Sequence, residues 1–286
     1  MENVVSVSNM RKSDAHTIEH HISGKELMKK AAEGVFSSID FTQKRVAIIC
    51  GSGNNGGDGY ALAEICADNN IICSVFRTSE RFSEDGLYYC KRAEKKGIFI
   101  DIFDEDTDLE EYDIIVDCIF GTGFKGEPEG LAKTAIEKIN NSGTYVVSVD
   151  INSGLNGDSG IAKCAVKSNL TVSIGYYKTG MFLNDAPKYI KKLVNKDIGI
   201  HLEQQQYHLI EKSQTEHFMG YGSEIMTSEE FCEKFRLDLN EIDFVNAVVA
   251  KSCQTKKILI IKNTKTFMIA DQTYVYFQAD YAKTKD

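Results

Sequence analysis

Residues 46–60 read VAIICGSGNNGGDGY, an apolar run that breaks into five glycines, two asparagines and one aspartate. Val46–Cys50 has the continuous apolar character of a buried parallel strand. Ala61, Leu62, Ile65 and Cys66 then resume with helical spacing. A strand, a glycine loop and a helix start together form a phosphate cradle. Glycine admits close backbone approach and positive φ, and the helix N-terminus offers unpaired N–H groups and a positive dipole end.

Gly51-x-Gly53-x-x-Gly56 matches the dinucleotide fingerprint, but the acidic residue that would hold a ribose is missing. After the next strand, near Ile71–Phe76, stands Arg77, which suits a 2′-phosphate and keeps an NADP-dependent dehydrogenase open. Asn54, Asn55 and Asp58 point elsewhere. They add amide and carboxylate oxygens to a loop that needs only N–H groups, and such oxygens bind a hard cation or a polar substrate head. A helix-capping Asp in a tight turn is the plain alternative.

Two more loops share this pattern. Ile114–Val116 runs into Asp117, then Gly121-Thr122-Gly123-Phe124-Lys125-Gly126-Glu127. Tyr145–Val149 runs into Asp150-Ile151-Asn152-Ser153-Gly154. Singly, each Asp reads as a cap or turn residue. Three strand ends that each carry glycine and oxygen ligands describe one crevice at the carboxyl edge of a parallel sheet.

GSGNNGGDG, VDCIFGTGFKGE and VVSVDINSGLNGDSG resemble the three signature loops of the YjeF N-terminal domain family, the NAD(P)H-hydrate epimerases. The opening MRKSDAHTIEHHISGKELMKKAA and the later TVSIGYYKTGMFLNDAPKYIKKLVNKDIGI are also similar, so the resemblance spans about residues 8–200 in order. It implies interconversion of the R and S forms of hydrated NADH or NADPH. Substrate would lie on Asn54, Asn55, Gly56, Gly57 and Asp58, on Gly121 through Glu127, and on Asp150. A potassium ion would be held by Asn55, Asp117 and Ser153. The chemistry, loss of a hydroxyl and return of water, asks for an acid and a base. Asp150 is the candidate for that work, with Lys125 holding phosphate or tuning it. The same fold also serves as a non-catalytic nucleotide-binding scaffold. One departure stands out: the family's Asp-Ile-Pro-Ser-Gly has Asn152 in place of proline, which is expected to leave the loop freer.

Composition agrees with a single large α/β domain and a small extension. The chain has 286 residues, 42% hydrophobic and 26% charged, with a formal charge of −9 that argues against phosphate-driven nucleic-acid binding. No membrane-length apolar run or signal-peptide h-region is present, and no membrane partner is expected. The eight cysteines lack CxxC spacing and read as core residues of a reducing cytoplasm. His16 and His20 stand at i, i+4, but with no third ligand in view a solvated helical face is the reading. A homodimer is the expected assembly.

Helix signals open at Ser23-Gly24-Lys25-Glu26, with Leu27, Met28, Ala31, Ala32 and Val35 as a core stripe. Strands are expected at 46–50, 71–76, 98–102, 114–118, 145–149, 170–174 and 192–197, with helices near 59–69, 83–96 and 130–141. The alternation predicts a Rossmann-like three-layer αβα sandwich with a mostly parallel sheet. Residues 1–210 form the expected epimerase-like domain. Past residue 200 the chain turns polar like a linker, and 211–286 reads as a small divergent α/β appendage. A capping box opens it at Thr227–Glu230, and a strand at 257–261 and a hairpin follow. Faint similarity to a dehydratase interior, without its catalytic glycine loop, marks this unit as a relic. On that reading, a chain ending near residue 210 folds and works alone.

Overall fold

The computed structural model describes residues 2–204, 207–211, 214–215, 218–219, 223–239, 243–263, 265–271 and 274–282. Parts of the expected linker, 205–206, 212–213 and 216–217, lie outside the described residues.

Strands β2 (Arg45–Cys50), β3 (Ile72–Arg77), β4 (Phe99–Ile102), β5 (Ile114–Cys118), β6 (Tyr145–Val149), β7 (Leu170–Ile174) and β9 (Leu193–Lys196) form one sheet, in the order β4-β3-β2-β5-β6-β7-β9. Every pairing in it is parallel. The expected strands therefore all form, each within a residue or two. Alternation along β2 explains the layers: Val46, Ile48 and Cys50 pack with helices α2 (Gly24–Phe36) and α3 (Asn54–Asp68). Ala47 and Ile49 join Ile136 and Ile139 of α5 (Gly130–Asn141) on the other face. The strand order reverses between β2 and β5, so a crevice opens at their carboxyl ends.

A second sheet contains the expected strand near 257–261 and the hairpin after it, but its union with the first part of the chain was not legible in the sequence. It joins β1 (Glu2–Val5), β8 (Tyr177–Lys178) and β10 (Tyr207–Leu209) to β11 (Ser223–Met226), β12 (Ile258–Lys262), β13 (Thr266–Asp271) and β14 (Tyr274–Ala279). β10 pairs with β1 on one side and with β14 on the other, so the expected boundary after residue 210 runs through this sheet. The hydrophobic cluster beneath it is shared. Val4, Tyr177, Phe182 and Leu193 pack with Phe231, Val248, Phe277 and Tyr281. Tyr281 ties the two parts further: its carbonyl accepts from the Leu193 N–H (2.7 Å), and its hydroxyl donates to the Met181 carbonyl (2.6 Å). The capping box at Thr227 and Glu230 opens α6 (Ser228–Phe235) as expected, followed by α7 (Phe244–Thr255).

Helix α1 (Val7–His20) follows β1, with Ser6 as its N-cap. The Val7 N–H donates to Asp158 Oδ1 at 2.7 Å, which anchors the helix start beside the third signature loop. His16 pairs with Glu203 (2.9 Å) and stacks on His20 (4.4 Å) at its far end.

Candidate active site

The glycine loop works by close packing more than by unusual φ. A Cβ on Gly51 would stand 1.9 Å from the Ile119 carbonyl, and one on Gly56 would stand 2.1 Å from the Gly51 carbonyl. Neither residue has positive φ. Helix α3 starts within the loop, at Asn54, earlier than its apolar pattern suggested. Its N-cap Gly53 supplies no side-chain bond, so the first N–H groups are left for a ligand.

A cavity of about 500 Å³ opens above this helix end. Ser52, Gly53, Asn54, Asn55 and Asp58 line it from the first loop, Gly121, Thr122, Gly123 and Phe124 from the second, and Asp150 from the third. The expected convergence of three loops therefore exists. Gly56 and Gly57 are buried within α3 as packing residues, and Phe120 and Phe124 stack at 4.2 Å beside the cavity.

Asp150 stands at the centre. Its φ is +66°, a left-handed backbone rare for a residue with a Cβ and characteristic of functional loops. Oδ2 accepts from the Thr122 N–H (3.0 Å), and Oδ1 accepts from Lys178 Nζ at 2.5 Å. Lys178 is fully buried and also donates to the Ile174 carbonyl (2.8 Å). It occupies the place expected for Lys125. Lys125 is exposed, outside the cavity lining and without an ion pair among the described residues, and Glu127 pairs with Lys163 at the surface. Gly126, at φ +91°, turns this part of the loop outward. The signal for Lys178 was its position: a lone lysine just after the sixth strand of the parallel sheet. Asp14, on α1, is the other residue the sequence reading passed over. It lines the same cavity. Burial raises its carboxyl above the usual range, and nearby Asp150 adds to this while Lys178 opposes it. Asp58 is driven up more strongly, by burial first and then by Asp150 and Asp14.

Asn55, Asp117 and Ser153 come together just behind the cavity floor. Asp117 is fully buried and makes no ion pair among the described residues. Ser153 Oγ (2.5 Å), Ser148 Oγ (2.8 Å), the Ser153 N–H (3.0 Å) and the Ile119 N–H (3.2 Å) donate to it. Burial pushes its carboxyl up and these donors hold it down. Asn55 Nδ2 donates to the Phe120 carbonyl (3.0 Å), and Asn55 Oδ1 is buried without a partner.

Asn152 reverses the expectation of a freer loop. It is fully buried. Nδ2 donates to Val166 O (2.8 Å), Ser168 Oγ (3.0 Å) and Tyr189 O (3.1 Å), and Oδ1 accepts from Thr171 Oγ1 (2.6 Å). A hydrogen-bonded amide here does what a fixed proline φ would do, two residues from Asp150. Arg77, the basis of the dehydrogenase reading, lies over the Phe82 ring (5.5 Å) and does not line the cavity.

Residues 24–180 match the family model described as YjeF-related protein N-terminus. The chain belongs to that family. Among its relatives, the NAD(P)H-hydrate epimerase of Oenococcus oeni is 35% identical over 61% of this chain and 86% of its own length. The bifunctional NAD(P)H-hydrate repair enzyme Nnr of Coxiella burnetii is 32% identical over 67% of this chain, which spans only 40% of that larger protein. The crystal structure of the yeast protein ynu0 superposes with a TM-score of 0.56 at 25% identity, over 65% of this chain and 84% of that one. The family match stops at Lys178 and its immediate neighbours, so the tail strands of the second sheet lie outside it.

Proposed function

We propose that this protein epimerises the R and S forms of hydrated NADH or NADPH. The observation that carries the reading is the pairing of fully buried Lys178 with half-buried Asp150 at the meeting point of three signature loops around one cavity. Hydrated NAD(P)H bears a hydroxyl on a ring carbon bonded to nitrogen. Loss of that hydroxyl, assisted by the nitrogen lone pair, leaves a cationic ring, and water returns on either face. The carboxylate-rich cavity favours that cation. Asp150 is the proton-transfer residue, and Lys178 and the Thr122 N–H fix its two oxygens. The uncapped start of α3 receives phosphate, and the Phe120–Phe124 stack offers an apolar wall to the nicotinamide.

A potassium ion fits the donors behind the floor. Asn55 Oδ1, the Phe120 carbonyl, Ser153 Oγ and Asp117 form an all-oxygen set, with one orphaned buried oxygen and a buried carboxylate that has no cationic partner among the described residues. Bound there, the ion would balance the Asp117 charge and join the ends of β2, β5 and β6, so that the pocket is formed before substrate arrives. The deciding experiment measures interconversion of purified R and S hydrates of NADH and NADPH in potassium and in sodium buffers. Interconversion that is faster in potassium supports both readings. No interconversion, with NADP still bound, would make this a nucleotide-binding scaffold. Equal rates in both salts would remove the ion.

A further inference from the structure

Helix α1 carries two neighbouring stripes. Asn9, Ser13 and Thr17, spaced four residues apart, are all buried. Each is tied to the strap at residues 201–204: Asn9 Nδ2 donates to Gln204 O (2.6 Å), and Ser13 Oγ and Thr17 Oγ1 accept from the N–H groups of Glu203 (3.0 Å) and His201 (2.9 Å). One position along, Met10, Asp14 and Ile18 line the cavity. The three bonds fix the rotation of the helix, so Asp14 cannot turn to bulk water without breaking them. The cavity thus holds Asp14 from α1, Asp58 from α3, Asp85 from α4 (Glu84–Lys95) and Asp150 from the end of β6, with Arg11 at its edge. Lys178 is bonded to Asp150, and neither Asp14 nor Asp58 has an ion pair among the described residues. Carboxylates sharing a partly dry site with one buried ammonium do not all ionise together.

We propose that Asp14 is a second catalytic residue, the acid that protonates the departing hydroxyl while Asp150 takes the proton of the returning water. This rests on the epimerase reading. In one turnover the carbon–oxygen bond breaks with both electrons on oxygen, and the Asp14 proton makes the hydroxyl a water molecule. The ring nitrogen lone pair forms a carbon–nitrogen double bond. Water then adds to the same carbon, that electron pair returns to nitrogen, and the surplus proton passes to Asp150. Asp14 ends ionised and Asp150 protonated, which is the form that runs the same steps in the opposite direction.

The test compares wild type with Asp14→Asn, Asp14→Glu and Asp58→Asn, using both purified hydrates from pH 5 to 9 and an NADP titration as the binding control. Asp14→Asn should lower kcat roughly 10²-fold and leave NADP affinity nearly unchanged. The alkaline fall of the wild-type kcat profile, which reports loss of the acid's proton, should disappear with it. Asp14→Glu, which keeps a carboxyl, should recover part of the rate, and Asp58→Asn should keep the alkaline fall. Near-normal kcat in Asp14→Asn, or a persisting alkaline fall, overturns the assignment and leaves the epimerase reading intact. If Asp14→Asn does not fold, a kcat for Asp14→Glu no better than background at every pH overturns it equally. A wild type that cannot interconvert the hydrates overturns both.

Discussion

In the parallel sheet, strands β2 to β7 are joined by short connections, helical after β2, β3 and β5, and the signature loops sit at the carboxyl ends of β2, β5 and β6. In the mixed sheet, residue 2 pairs with residue 209, residue 4 with residue 177, and residue 208 with residue 276. The first sheet supplies most of the chemistry. The second supplies almost none directly, yet β8 carries Lys178, and β1 delivers α1 with Asp14 to the cavity. A region that reads as a dispensable tail therefore supports the placement of two residues in the site.

The strongest way to break this comparison is to end the chain after residue 210. Without β11 to β14, the apolar partners of Val4, Tyr177, Phe182 and Leu193 lose their cover. Replacing Phe277 alone with Ala should cost about 3–5 kcal/mol, so the fragment should aggregate or melt without cooperativity. A soluble 1–210 fragment with a sharp thermal transition would restore the autonomous first unit. Next in size, Asp150→Asn should reduce turnover by roughly 10²-fold with NADP binding largely kept. A near-normal rate would move the chemistry away from the third loop.

Asn152→Ala tests the clamp on that loop. It strands the buried Val166 carbonyl, while Tyr189 O keeps the Ser168 N–H, at about 1–3 kcal/mol for the unmet group. Calorimetry should show a lower Tm, and Asn152→Pro should not rescue it, because proline restores stiffness without the donors. An unchanged Tm in either variant would mean the network contributes nothing. Asp58→Asn works in the opposite direction. The Asp58 carboxyl is raised in the folded protein, so its favourable contribution is complete below the ordinary aspartate range and is lost as pH rises through the raised value. The variant should melt higher than wild type at neutral pH, by about 2–4 °C for each kcal/mol relieved, and the gain should vanish on acidification. A gain that persists at low pH would have another cause. The smallest effect belongs to Lys125→Ala, expected to keep turnover within about threefold, with any loss confined to KM. A large fall in kcat would show that the outward loop closes over the substrate.

The parallel sheet was readable because its signals are local: apolar runs, glycine breaks and helical stripes within windows of a dozen residues. Asn54–Asp58, Gly121–Phe124 and Asp150 were legible for the same reason, since each loop announces its own strand end. Lys178, Asp14 and the role of Asn152 were not. Lys178 reaches Asp150 only through a two-residue strand, and Asp14 depends on a helix oriented by residues 201–204. Asn152 substitutes four side-chain hydrogen bonds for a ring, and its partners lie at 166, 168, 171 and 189. Strand β1 is four residues long, too short for a periodicity to declare it.

The pairing of β1 with β10 also has a consequence in time. Contacts that close long loops form late, because the chain entropy must be lost before the contact forms. During synthesis at about 5–20 residues per second, residue 209 emerges roughly 10–40 s after residue 5. Through most of that interval, until β8 emerges, strands β2 to β7 can assemble while the first strand has no partner and α1 no fixed setting. The nascent chain should thus acquire its nucleotide cradle well before its complete set of acids. A chaperone that shields an unpaired strand edge would have most to do between those two events.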